Sequence, residues 1–237
     1  MTEPRDPTSP DEELLEAEAL TILSTLDDAA RVERITAELE DGFGALAGVG
    51  KAVSIFGSAR TTADDPFYVQ ARDLARLLGE DGFSIITGGG PGIMYAANQG
   101  ARDAGVPSIG LGIDLPHEQG INDSVDIALE FHYFFTRKVM FVRYARAFVV
   151  FPGGFGTLDE LFEAATLRQT EKIRHFPIVL YGSAYWGGLV DWLRDPMLAE
   201  GKISPADVEM LEVTDDPDRV LDVVRAVEHR RPRSGRA

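Results

Sequence analysis

The 237-residue chain contains no cysteine, and that absence removes a disulfide framework, a zinc–thiolate centre and a thiol nucleophile together. Lysine is nearly as scarce: Lys51, Lys138, Lys172 and Lys202 are the whole set. The four histidines, His117, His132, His175 and His229, are scattered and form no metal-ligand spacing, so no metal and no cofactor are expected. No apolar run approaches the ~18–20 residues of a membrane span, and the acidic start lacks the basic-then-apolar order of a signal peptide. A cytoplasmic protein without a membrane partner is the expectation. Positive charge is also short. The net charge is −16, and residues 1–41 hold thirteen acids against three arginines, an excess of 10. That disfavours a nucleic-acid partner. The stretch 229–237 (HRRPRSGRA) reverses the sign with four arginines and reads as a short solvated basic tail.

Several familiar loops are missing too. Gly88 and Gly90 are followed by Ile93 where a third glycine should stand, so the dinucleotide fingerprint GxGxxG fails. Neither GxxxxGK[ST] nor GxSxG occurs, which argues against a P-loop NTPase and a serine hydrolase.

What is present is strand–helix alternation. Residues 1–10 read as a disordered acidic tail, and 11–50 as a helical extension with helices near 11–25 and 27–47. From Lys51 to residue 228 the pattern predicts one domain. Its strands fall at 52–56, 83–87, 106–111, 127–131, 148–151, 178–181 and 208–213, and its helices at 66–78, 93–103, 134–145, from Leu158, and 217–227. Such units imply an α/β, Rossmann-like three-layer sandwich with a central parallel sheet of about seven strands. Ligands of such sheets bind beyond the carboxyl ends of the strands. Three candidate loops lie there: 57–60 with Ser58, 88–92 with Gly89 and Gly90, and 153–157.

The third loop organises the chain. A continuous apolar run, Ala147 to Phe151, breaks at Pro152-Gly153-Gly154 and reaches Gly156-Thr157 before an amphipathic run. Strand, glycine turn, helix aims backbone amides and a helix N-terminus at one spot, which suits a phosphate. Thr157 is placed to cap the helix or to bind the anion, and Glu160 falls in the expected first turn. The plain alternative is a capped helix after a buried strand, with Arg137 and Glu118 as solvated surface groups.

Two longer strings favour the functional reading. Pro152 to Glu160 spells PGGxGTxxE, and Arg137-Lys138 with Met140 precedes it on a predicted helix; GGGPGIM at 88–94 joins them. On these motifs, over about 51–193, the chain resembles the LONELY GUY (LOG) family, older label putative lysine decarboxylase. These enzymes cut cytokinin riboside 5′-monophosphates into free base and ribose 5-phosphate. The resemblance implies Arg137 and Glu160 as catalytic residues. It implies Gly153, Gly154, Gly156 and Thr157 around the phosphate and ribose, with Glu118, Lys138 and Thr166 as further substrate contacts. Gly89, Gly90 and Ser58 complete the expected substrate-binding set. A homodimer or an assembly of dimers is implied, with a nucleoside monophosphate as the small-molecule partner.

The chemistry is consistent. Breaking an N-glycosidic bond builds positive charge on the sugar, which a carboxylate at position 160 stabilises while orienting water. A helix N-terminus would favour its ionised form. Arg137, permanently charged, clamps oxygens and is expected to hold Glu160 by a charge-assisted bond. The proton donor to the leaving base stays open between Glu118 and solvent. The rival readings are a non-catalytic purine nucleotide-binding or sensing module, and lysine decarboxylation. The second needs a Schiff-base lysine, and only Lys138 lies near the site.

Overall fold

The computed structural model describes residues 11, 28–114, 120–173 and 176–230. The expected disordered tail, most of the first expected helix, Glu118 and residues 231–237 lie outside them. Helix α1 (Asp28–Leu46) leads into β1 (Ala52–Phe56), α2 (Pro66–Glu80), β2 (Ser84–Thr87), α3 (Ile93–Asp103), β3 (Ser108–Ile113) and β4 (Ile127–Phe131). The chain continues through α4 (Phe134–Tyr144), β5 (Ala145–Val150), α5 (Phe155–Gln169), β6 (Ile178–Tyr181) and α6 (Ser183–Trp192). A π-helical stretch (Leu193–Leu198), α7 (Pro205–Glu209), β7 (Leu211–Thr214) and α8 (Pro217–Arg230) complete it. No helix among the described residues is long and apolar enough to cross a membrane.

The seven strands form one parallel sheet in the order β4-β3-β2-β1-β5-β6-β7. Alternate side chains along β5 go to opposite faces, as the two-residue period of a strand requires. Ala147, Val149 and Phe151 join Leu74, Leu78, Ala97, Val220 and Val224 under α2, α3 and α8. Phe148 and Val150 join Met140, Phe141, Leu161 and Trp186 under α4, α5 and α6. The three-layer expectation holds because both sheet faces are apolar. An apolar strand of this kind is stable only with helices above and below it.

Several boundaries differ from the sequence expectation. The helix expected from Leu158 begins at Phe155, so the glycine loop is shorter and its last residues are helical. The strand expected at 208–213 loses Val208 and Glu209 to α7, because Ser204 and Asp207 close a capping box around Pro205. Helix α8 runs through Arg230, two residues into the expected basic tail.

The order of strands places the site. From β1 the chain moves outward through β2, β3 and β4, then returns to pair β5 on the other side of β1. The connections leaving β1 and β5 diverge to opposite directions, and a crevice opens above their carboxyl ends.

Candidate active site

Above that crevice the three loops are joined by Ser58. Its backbone amide donates to Pro152 O at 2.9 Å, and its carbonyl accepts from the Ile93 amide at 3.1 Å. Its hydroxyl accepts from the Arg60 amide at 3.0 Å. One residue therefore ties the loop after β1 to the loop after β5 and to the start of α3. The closeness depends on Gly92, whose φ is +66° and whose missing Cβ would lie 2.3 Å from Ser58 O. A partly buried network holds the second loop from behind. Asn122 Nδ2 donates to Gly89 O and Gly90 O at 2.9 and 3.0 Å, and lies 3.1 Å from Asn98 Oδ1.

The resulting cleft has a volume of about 740 Å³. Ser58, Gly89, Gly90, Arg137, Gly153, Gly154, Gly156, Thr157 and Glu160 all line it, so nine of the twelve expected site residues meet in one cavity. Lys138 does not line it; its Nζ pairs with Asp159 Oδ1 at 2.8 Å and stands 4.0 Å from Glu160 Oε2. Thr166 is exposed further along α5 and is not part of the lining. Glu118 falls outside the described residues.

At the start of α5 the N-cap is Gly154 and no side chain caps the helix, so of the two roles open to Thr157 it does not take the capping one. Thr157 is instead the third helical residue, buried, with its Oγ1 where a Gly153 Cβ would be (2.1 Å). The first-turn amides of Phe155 and Gly156 have no intrahelical acceptor, and with the helix dipole they suit an anion. Tyr185 orients the loop: its hydroxyl donates to Gly153 O at 2.7 Å. In that planar trans peptide the Gly154 N–H points the opposite way.

Glu160 is only 4% exposed, and its Oε2 has no hydrogen-bond partner. Burial is the largest influence on it and pushes its pKa from 4.5 to about 7; Lys138 and then Arg137 pull it down, and Asp159 and Glu163 push it up. Two expectations are thereby corrected. With α5 starting at Phe155, Glu160 is in the second turn, where the helix dipole has faded, and desolvation decides its charge. No hydrogen bond joins it to Arg137, which acts on it only by charge at longer range. Arg137 reaches the second loop instead. Its Nη2 lies 2.7 Å from where a Gly88 Cβ would be, and its guanidinium stands 5.1 Å from the centroid of the Phe141 ring.

Arg60, Tyr185, Phe155, Ile121 and Glu130 also line the cleft, although none of them was among the expected site residues. Phe155 is 91% exposed, an unusual position for phenylalanine, and it stands as the variable residue of PGGxGTxxE. The signal for Arg60 was its place three residues after a strand-end glycine; Tyr185 and Glu130 carried none. No group of three or more His, Asp and Glu that could hold a metal ion occurs among the described residues. The site is thus a buried carboxyl of near-neutral pKa beside an anion-receptive loop, with a fixed cation at its edge. It is equipped for proton transfer and for stabilising positive charge next to a bound phosphate.

The sequence pattern of the family described as "possible lysine decarboxylase" matches residues 94–224. The chain is 34% identical over 139 residues to a probable cytokinin riboside 5′-monophosphate phosphoribohydrolase of Oryza sativa subsp. japonica, covering 57% of this chain and 65% of that protein. It is 32% identical over 182 residues to the cytokinin riboside 5′-monophosphate phosphoribohydrolase of Mycobacterium tuberculosis, covering 73% and 91%. The chain spans just under two thirds of two rice relatives that it matches, 65% and 63%. Among solved structures, a molybdenum cofactor carrier protein from Chlamydomonas reinhardtii superposes with a TM-score of 0.56 at 23% identity, over 76% of this chain and 100% of that one. A molybdenum cofactor binding protein from Rippkaea orientalis gives 0.51 at 23%, over 75% and 96%. At such identity the likeness establishes the fold.

Proposed function

The chain belongs to the LOG family, the family of the "possible lysine decarboxylase" pattern, and from that premise we propose that it hydrolyses the N-glycosidic bond of adenosine 5′-monophosphate and its N6-substituted forms. The products are the free base and ribose 5-phosphate. The observation that carries the reading is Glu160: a carboxyl buried in the cleft, with no hydrogen bond to Oε2 and a pKa of about 7, close to the anion-receptive glycine turn. A cleft for binding alone has no use for such a group, since a buried acid beside a phosphate weakens the hold on both.

The phosphate sits at the first-turn amides of α5, with Arg60 and Arg137 supplying positive charge to its oxygens and those of the ribose. That leaves the anomeric carbon near Glu160. As the C1′–N9 bond breaks, its electron pair leaves with the base and positive charge develops on the sugar. Ionised Glu160 stabilises that charge and takes a proton from the attacking water, whose oxygen forms the new bond to C1′. The leaving base gains its proton from solvent or from Glu118. Phe135 and Val139, one turn apart on α4 and both more than two-fifths exposed, form an apolar stripe that fits a second copy of the chain. The assembly is then a homodimer, which light scattering reads directly.

The deciding experiment incubates the protein with AMP, GMP, CMP and N6-isopentenyl-AMP and follows free base and ribose 5-phosphate. The expected result is release from the two adenine nucleotides. AMP binding by calorimetry without any product would refute hydrolysis and favour the nucleotide-binding module.

A further inference from the structure

Helix α4, which carries Arg137, lacks a cap of its own. Its N-cap residue is Tyr133, and no side chain of that residue bonds the first turn. The first helical hydrogen bond, from the Arg137 amide to Tyr133 O, is long at 3.4 Å. Carboxylates of the extension that precedes the α/β domain brace this helix start. Glu38 of α1 is 8% exposed and reaches across to this helix start. Its Oε1 accepts from the His132 amide at 2.9 Å and lies 2.9 Å from His132 Nδ1. Its Oε2 accepts from the Thr136 hydroxyl at 2.6 Å. Asp11, also from the extension, accepts a hydrogen bond from the Phe134 amide. The rest of α1 is keyed to α4 as well. Gly42 lies so close to Met140 that a Cβ there would be 2.7 Å from its Cε, and Tyr144 bonds Phe43 O at 3.4 Å.

We propose that the extension is part of the active-site apparatus, with Glu38 as a positioning residue that sets where Arg137 stands. Asp11 satisfies one first-turn amide, Glu38 ties the residue before the N-cap to the Thr136 side chain of the first turn, and both carboxylates interact favourably with the helix dipole. Thr136, the residue that Glu38 holds, is the immediate neighbour of Arg137. Fraying of that turn would release the backbone from which the guanidinium reaches Gly88. Ligand affinity would then fall by the fraction of time the turn is open. The ligand in this inference, AMP, rests on the function proposed above; the cap itself does not.

Two measurements separate the cap from its consequence. Hydrogen exchange by mass spectrometry on Glu38→Ala should show the amides of 134–138 exchanging about tenfold faster, with β1 and β5 unchanged. Calorimetry should show AMP affinity falling about twofold when Arg137 is present, and no further loss when Glu38→Ala is added to Arg137→Ala. Glu38→Gln keeps the shape: its Oε1 still accepts from the His132 amide, and its Nε2 donates to the Thr136 hydroxyl, which turns its own proton to Tyr133 O, so it should stay near wild type in both assays. If Glu38→Ala fails to fold, Thr136→Val removes one of these bonds and gives the same comparison with a smaller change. Unchanged exchange at 134–138, or an equal loss of affinity in both Arg137 backgrounds, overturns the proposal. A wild type that releases no adenine from AMP refutes the hydrolase instead, and the exchange result still judges the cap.

Discussion

Replacing Glu160 by glutamine should make the protein more stable and inactive at once, and only above neutral pH should the stability gain be large. The folded protein holds a proton on Glu160 up to a pH of about 7, against 4.5 for the ordinary carboxyl. Between those values the folded state binds more protons than the unfolded one, so stability falls as pH rises through that window. At about 1.4 kcal/mol per pH unit the full loss is roughly 3 kcal/mol, complete above about pH 7 and absent below about 4.5. Glutamine has nearly the same shape and no charge, so it avoids the loss. For a chain of this size roughly 3 kcal/mol corresponds to about 6–12 °C in Tm. Thermal unfolding of wild type and Glu160→Gln in matched buffers from pH 4 to 8.5 reads the difference. It should be near zero at the acid end and rise to a plateau above neutrality. In the same samples, release of adenine from AMP should fall at least about a hundredfold at pH 8. A Tm difference that does not vary with pH would show that burial does not control this carboxyl. A variant retaining turnover would remove Glu160 from the chemistry.

In the wild type, kcat/KM should climb with pH through about 7 if ionised Glu160 is the base; a falling limb there would make it the proton donor. Lys138→Met removes the positive charge that most lowers the Glu160 pKa, so that rising limb should move to higher pH; an unmoved limb would sever Lys138 from Glu160. Gly153→Ala drives a methyl into Thr157 Oγ1, with a Cβ contact of 2.1 Å, and should cost about 1–3 kcal/mol in denaturant unfolding together with AMP affinity. Wild-type stability in that variant would contradict the packing of the loop. Tyr185→Phe deletes the bond to Gly153 O and should raise KM for AMP about fivefold with the fold intact; an unchanged KM would mean the loop holds itself.

Much of this protein was readable from local pattern. Strands at 52–56, 127–131 and 178–181 and the helix at 93–103 fall where apolar periodicity puts them, because each is specified by residues within a few positions of one another. The glycine strings likewise announced the loops of the cleft, since backbone that must approach an anion tolerates few other residues. The start of α5 was not legible: Phe155-Gly156-Thr157 has neither a capping side chain nor an apolar period, and only the completed strand–turn–helix geometry makes it helical.

What the chain alone determined is therefore the kind of fold and the loops, and its family resemblance pointed to Arg137 and Glu160 as the candidate pair. Tertiary structure decided the chemistry of the pair. The pKa of Glu160 reflects desolvation by what packs around it, offset in part by the charge of Lys138 on α4, and no stretch of sequence contains that sum. The same holds for Ser58 tying three loops together, and for Glu38 bonding His132 and Thr136, 94 and 98 residues away. Such contacts exist only once distant segments meet, because hydrogen bonding and desolvation depend on distance in space and not on separation along the chain.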